Sequence, residues 1–162
     1  MRRGFMKKVL LAGAVVMAAF CESGSAEVAT RPLWSENFAQ AKAAAAAKKI
    51  PVLILFSGSD WCPPCKMLEQ SVFQKKAFAD FASSGKVVLF HADFPRYKSQ
   101  SDEVKNQNRQ LMQTYNIEGV PTVVLTDASG KEFARTGYRP GGAEKYVSHL
   151  EELLKKAPKE RK

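Results

Sequence analysis

Apolar positions along the chain fall into two rhythms, and their alternation predicts the elements. Val52-Leu53-Ile54-Leu55-Phe56 is apolar at every position, as expected for a central strand covered on both faces. Val87-Val88-Leu89-Phe90-His91 has the same character up to its last residue and predicts a second strand. Thr122 to Thr126 and Glu132 to Thr136, joined by Asp127-Ala128-Ser129-Gly130, predict an antiparallel hairpin. Helical spacing fills the gaps. A helix capped by Ser35 runs through Phe38, Ala41 and the alanine block Ala43 to Ala47 to Lys49, thin enough to pack closely on a sheet. Another starts at Pro63 and turns Met67, Leu68 and Val72 inward, with a break near Ser71 to Gln74. Lys75 to Ala82 buries Phe78 and Phe81 before Ser83-Ser84-Gly85 ends it. Asp102 to Tyr115 carries acids in its first turn and Leu111, Met112 and Tyr115 on its inner face. Ala143 to Lys156 is a final amphipathic helix with Tyr146, Val147, Leu150, Leu153 and Leu154. After the leading helix the order is β-α-β-α-β-β-α, with a right-handed parallel crossover between the first two strands. The fold class is α/β, a central mixed β-sheet flanked by helices on both faces.

The ends change the picture of where the chain works. Arg2, Arg3, Lys7 and Lys8 precede an apolar run from Val9 to Phe20, which is shorter than the roughly 20 residues that span a bilayer. Gly24-Ser25-Ala26 supplies small residues at a cleavage site, so residues 1–26 form a secretory signal cut after Ala26. Cys21 opens a second route, lipidation and a membrane-anchored lipoprotein, although Phe20 stands where such signals place a small residue. Residues 27–32 are a lead-in, 33–157 the domain and 158–162 a basic tail. Removing the signal takes four of the 25 basic residues and one of the 16 acidic ones, so the exported chain stays basic. It is long enough for one domain with one hydrophobic core and is expected to be a monomer. A nucleic-acid surface would interleave the basic residues with exposed aromatics on one face, and no such stripe is present. The location that follows is periplasmic or secreted.

Chemistry concentrates in Trp61-Cys62-Pro63-Pro64-Cys65-Lys66, directly after the first strand and its loop Ser57-Gly58-Ser59-Asp60. Two thiols two residues apart cannot staple distant parts of a fold, so their use is chemical. At the head of a helix the first sulfur sits where amides favour a thiolate, exposed, with the second one turn further in. That pair can carry thiol–disulfide exchange, one thiolate attacking a disulfide and the other thiol resolving the mixed intermediate. A zinc site would want four ligands, and only His91 and His149 remain, far apart. Haem attachment would need histidine where Lys66 stands. The couple calls for no metal and no cofactor. Trp61 shields one side of the site and offers substrates an apolar contact. His91, on a strand otherwise made of core residues, is expected to be hydrogen-bonded structure, and His149 to be solvated. Pro63 and Pro64 tune the couple: they remove two amide donors from the first turn, so the Cys62 thiolate is held less firmly than in a strong oxidant. Its pKa then lies nearer the ~7 of a thioredoxin than the ~3.5 of an oxidase, which makes a better reductant.

The motif, the element order and Gly119-Val120-Pro121-Thr122 opening the third strand together resemble the thioredoxin fold over about residues 33–157. Gly58 to Cys62, Asp93-Phe94-Pro95 and Gly137-Tyr138-Arg139-Pro140-Gly141-Gly142 are similar to secreted bacterial thioredoxins of the DsbH kind. The resemblance implies that Cys62 is the nucleophile and Cys65 the resolving thiol. It implies that Pro121 is the family's cis-proline and that Val120 pairs main chain to main chain with a substrate. It implies disulfide-containing exported proteins as partners, and a membrane or periplasmic electron donor for re-reduction. Typical cytosolic thioredoxins carry a buried aspartate and a lysine in the two core strands. Here those stretches read Leu53-Ile54-Leu55-Phe56 and Val88-Leu89-Phe90. Asp60 could assist Cys65 only by folding back. A disulfide oxidase or isomerase on the same fold, and a non-catalytic binding or chaperone module, are the alternatives.

Overall fold

A computed structural model of the chain describes residues 32–158. The signal segment 1–26, Cys21, most of the lead-in and residues 159–162 of the tail lie outside the described residues. The elements run α1 Phe38–Lys48, β1 Val52–Ser57, α2 Pro63–Leu68, α3 Lys76–Ser83, β2 Val88–Asp93, α4 Asp102–Thr114, β3 Thr122–Thr126, β4 Glu132–Gly137 and α5 Gly142–Leu154. The sheet order is β2-β1-β3-β4, with β1 parallel to β2 and the other two pairings antiparallel. β1 therefore has a neighbour on each edge and helices on each face, and all six of its residues are buried. This is why its sequence does not alternate.

Side-chain parity divides the core in two. Leu53, Leu55, Leu89, Val123 and Leu125 face α2, α3 and α5, where Leu68, Val72, Phe78, Tyr146 and Leu150 meet them. Val52, Ile54, Phe56, Phe90 and Val124 face α1 and α4, packed by Phe38, Ala41, Ala45, Leu111 and Tyr115. In the alanine block it is Ala45, with Ala41 before it, that lies against the sheet, while Ala43, Ala44, Ala46 and Ala47 are exposed.

Two expectations need correction. Ser35 does not cap α1. Asn37 does, its side chain accepting the Gln40 amide at 3.0 Å, because Ser35 is used in a bridge to the edge of β2. The helix after the motif ends at Phe73, with Gln74 as its C-cap, inside the stretch Ser71 to Gln74 where the break is expected. Its last turn is a π turn over Glu69–Phe73, whose larger number of residues per turn lets the adjacent Val72 and Phe73 both enter the core. Met67 is not inward but exposed, since Leu68 and Cys65 occupy the side of α2 that meets the sheet. Met112 is partly buried against the second face.

Candidate active site

β1 ends at Ser57, and the loop after it must turn sharply to start α2. Gly58 makes that turn: its carbonyl accepts the amides of Trp61 and Cys62 at 3.3 and 3.0 Å. A Cβ at Gly58 would overlap the Trp61 indole, so this position needs glycine for space. Cys62 is the N-cap of α2 in extended conformation, and Pro63 and Pro64 fill the first helical positions. The proline rings suit those positions because the missing amides would have had no helical partner. Cys65 then supplies an amide that reaches Cys62 Sγ at 3.2 Å. The two cysteines form a disulfide with Cα atoms 5.3 Å apart.

On one side of the disulfide lies the segment before β3. Cys62 Sγ is 3.7 Å from the Val120 carbonyl oxygen, and the Val120–Pro121 bond is cis. Gly137 at the end of β4 sits so close to the Pro121 carbonyl that a side chain there would crowd it. Trp61 forms the adjoining wall. Its Nε1–H donates to Phe94 O at 2.8 Å, and the Arg96 guanidinium lies 3.9 Å above its ring. Asp60 accepts the amides of Arg96, Tyr97 and Lys98 at 2.9, 2.8 and 3.0 Å. Burial acts to raise its pKa, but those three amides outweigh it and hold the carboxyl below its ordinary value. Both Asp60 carboxylate oxygens are thus engaged by the 96–98 amides. Asp93 mirrors it, accepting from the Ser59 amide at 2.9 Å and the Ser59 hydroxyl at 2.6 Å.

Beside Cys65 a cavity of about 530 Å³ opens, lined among others by Leu55, Ser57, Glu69, His91 and Asp93 and reaching Pro121. Cys65 Sγ takes the Gly58 amide at 3.5 Å. His91 Nε2 and Ser57 Oγ are 2.6 Å apart, and the same nitrogen is 4.0 Å from Asp93 Oδ1. Burial pushes the His91 pKa down, opposed by the carboxylates of Asp93, Glu69 and Glu36.

The thioredoxin-like domain family matches residues 38–154, the span from the start of α1 to the end of α5. The chain belongs to this family. Disulfide bond reductase DsbH of Chlamydia pneumoniae is 34% identical over 79% of this chain and 76% of its own length. A solved structure of a DsbH oxidoreductase superposes with a TM-score of 0.73 at 29% identity, covering 93% of this chain and 95% of that one. Thiol:disulfide interchange protein DsbD of Pectobacterium atrosepticum is 29% identical over 94% of this chain, which spans only 27% of that larger protein. Within the thioredoxin-like family, a C-x-x-C disulfide at the head of α2 is the apparatus of a thiol–disulfide oxidoreductase, and that is the activity of this chain.

The thioredoxin-like site gathers Trp61, Cys62, Pro63, Pro64, Cys65, Val120 and Pro121 at one end of β1 and β3. One expectation about them fails. Cys62 is not the more exposed sulfur-bearing residue: Cys62 and Cys65 are 3% and 5% accessible. Their surroundings separate them instead, Val120 beside Cys62 and the polar cavity beside Cys65. His149 is not solvated but partly buried, with Nε2 3.0 Å from Thr136 Oγ1. Ser57, Glu69 and Asp93 are not among the site residues that the sequence predicts. The one signal was His91 itself, a polar residue on an apolar strand, placed by register opposite Leu55 and so on the face toward α2.

Proposed function

We propose that this chain is an exported disulfide reductase in which Cys62 attacks and Cys65 resolves. The observation that carries this reading is the asymmetry of the disulfide. Cys62 caps the helix, receives the Cys65 amide and lies beside the Val120 carbonyl, where an extended substrate strand can pair with main chain. Trp61 and Pro121 flank that strand's path. Cys65 lines the neighbouring cavity instead and is bonded to Cys62. The direction of electron flow rests on the first turn. Pro63 and Pro64 leave Cys65 as the first residue of α2 with an amide to hold a Cys62 thiolate, so the reduced state gains little and the couple gives electrons away. The name of the Chlamydia relative, a disulfide bond reductase, agrees with that direction.

Substrates are disulfide-bearing exported proteins, and a membrane or periplasmic thiol donor restores the dithiol. Export rests on the basic and apolar residues of segment 1–26, with cleavage after Ala26. Intact mass of the secreted protein distinguishes a chain beginning at Glu27 from one lipidated at Cys21. The reaction is tested by insulin reduction and by trapping. Cys65→Ser should accumulate mixed disulfides through Cys62, and Cys62→Ser none. Equal trapping by both variants rejects the assignment of roles. A potential near that of DsbA, about −120 mV, instead of about −270 mV, rejects the reductase direction.

A further inference from the structure

Resolution by Cys65 poses a problem that the apolar strands leave unsolved. A thiol at 5% exposure disfavours its thiolate, yet only the thiolate attacks. β1 offers no acceptor for the proton, since Leu55 is its side chain in the cavity beside Ser57. The cavity wall opposite does. We propose that His91, coupled to Ser57, accepts the Cys65 proton across this cavity and so activates the resolving thiol. The inference rests on the assignment of Cys62 and Cys65 made above.

Geometry carries it. His91 and Leu55 are register partners on adjacent strands, so both point to the face on which α2 holds Cys65. Ser57 joins the two sides: its hydroxyl is 2.6 Å from His91 Nε2, and the next residue, Gly58, gives its amide to Cys65 Sγ. A polar space of about 530 Å³ has room for a water with two or more partners between sulfur and imidazole. The other candidates are less free. Asp93 is occupied by two bonds from Ser59. Glu69, on the π turn, lines the same cavity and is the rival.

The groups facing His91 come from every side: Asp93 on its own strand, Glu69 from the π turn, Glu36 from the segment before α1, and Lys98 from the 94–101 loop. The Trp34 ring lies 6.0 Å away. Burial prevails over the carboxylates and keeps the imidazole neutral at neutral pH, the form that accepts a proton. In the step itself Cys65 S–H gives its proton to His91 through water. The Cys65 thiolate forms a bond to Cys62 Sγ, and the bond from Cys62 to the substrate sulfur breaks. The substrate leaves as a thiolate with the electron pair, so the dithiol is oxidised and the substrate disulfide reduced. The imidazolium then loses its proton to solvent at the cavity mouth.

Stopped-flow reaction of the reduced protein with a chromogenic aromatic disulfide separates the two thiols. The first coloured thiolate is released by the attacking cysteine and the second by the resolving one. His91→Gln keeps an amide for Ser57 but cannot take a proton. It should leave the first release unchanged and slow the second by roughly a hundredfold at pH 7, the lower end of general base catalysis. The variant should also lose the rise in rate that accompanies deprotonation of His91, and should converge on the parent at alkaline pH. A merely structural role would slow both phases without removing that step. If the Gln variant is unstable, Ser57→Ala should slow the second release while keeping the pH step, and an unchanged second release in Ser57→Ala counts against the proposal. A second phase untouched by His91→Gln, or one slowed only by Glu69→Gln, overturns the role of His91 and leaves that of Cys62 standing. A first release that survives in Cys62→Ser overturns the assignment of roles on which it depends.

Discussion

Cys65 holds the site together from two directions, its amide directed at Cys62 Sγ and its own sulfur taking the Gly58 amide. With prolines in the first two helical positions, the electrostatics at Cys62 depend on few donors, and adding one should be felt. Pro64→His restores an amide and brings a ring donor toward the sulfur. Both favour thiolate over thiol, so the Cys62 pKa should drop and the couple become more oxidising by tens of millivolts, about 30 mV corresponding to 1.4 kcal/mol. Equilibration with glutathione measures it, and a shift toward more reducing values would remove the prolines from the account. His91 lends itself to a second test at this scale. Its folded pKa lies below its unfolded value, so the unfolded chain binds the proton more readily. Its contribution to stability is therefore complete above about 6.5 and is lost as pH falls toward the folded pKa. The difference in denaturant midpoint between the parent and His91→Gln should change across that interval and stay constant above it. The prolines were legible in the sequence because their effect is covalent and local. The bond between His91 and Ser57 was not, because it joins residues on two strands whose register only the fold sets.

Two carboxylates fasten the motif loop to the loop after β2, and they act as elements rather than as single contacts. Asp93 holds Ser59, and Asp60 holds the amides of residues 96–98, so the residues just before Trp61 are tied twice. Asp60→Ala should free the Arg96, Tyr97 and Lys98 amides and loosen the wall formed by Trp61 and Arg96. Hydrogen exchange at those three amides should speed up while exchange in β1 stays slow, and Trp61 fluorescence should change. Unaltered exchange at 96–98 would show that the Trp61–Phe94 bond suffices to hold the loop. The same reasoning gives a pH direction: the hold of Asp60 is complete above the ordinary carboxylate pKa and is lost as pH falls through its lowered value. Element boundaries were legible to within a residue or two wherever apolar periodicity was strong, as in β1, β3 and α4. They were less legible where a cap or a turn had rivals. Ser35 and Asn37 both suit an N-cap, and tertiary pairing of Ser35 with β2 decided between them. The break near Ser71 to Gln74 was legible from its polar residues, but the π turn that leads into it leaves no signature in sequence, and Met67 was placed inward because its neighbour Leu68 is equally apolar.

At the scale of the molecule, the sheet is packed on both faces and the redox pair sits where its central strand gives way to a helix. That architecture was legible because one fully apolar strand demands cover on both faces, and helices of matching period flank it in the sequence. It also ties stability to redox state. Unfolding and disulfide reduction form a thermodynamic cycle. The oxidised and reduced proteins must therefore differ in stability by the difference between the potentials of the folded and unfolded couples. A fold that rewards the thiolate stabilises the reduced protein, and such a couple is an oxidant. Here the first turn has two residues without amides, and the cavity side supplies one amide at 3.5 Å to Cys65. Meanwhile the helix brings the two Cα atoms to 5.3 Å, within the range a disulfide spans, so closure costs the folded chain little ordering. The folded protein should therefore hold its disulfide more firmly than the unfolded chain does. Oxidised protein should unfold at a higher denaturant concentration than reduced protein, by about 1.4 kcal/mol for every 30 mV between the two couples. This comparison needs no substrate and no partner. Reduced protein that outlasts the oxidised form would give the couple the sign of an oxidase, whatever its activity on insulin.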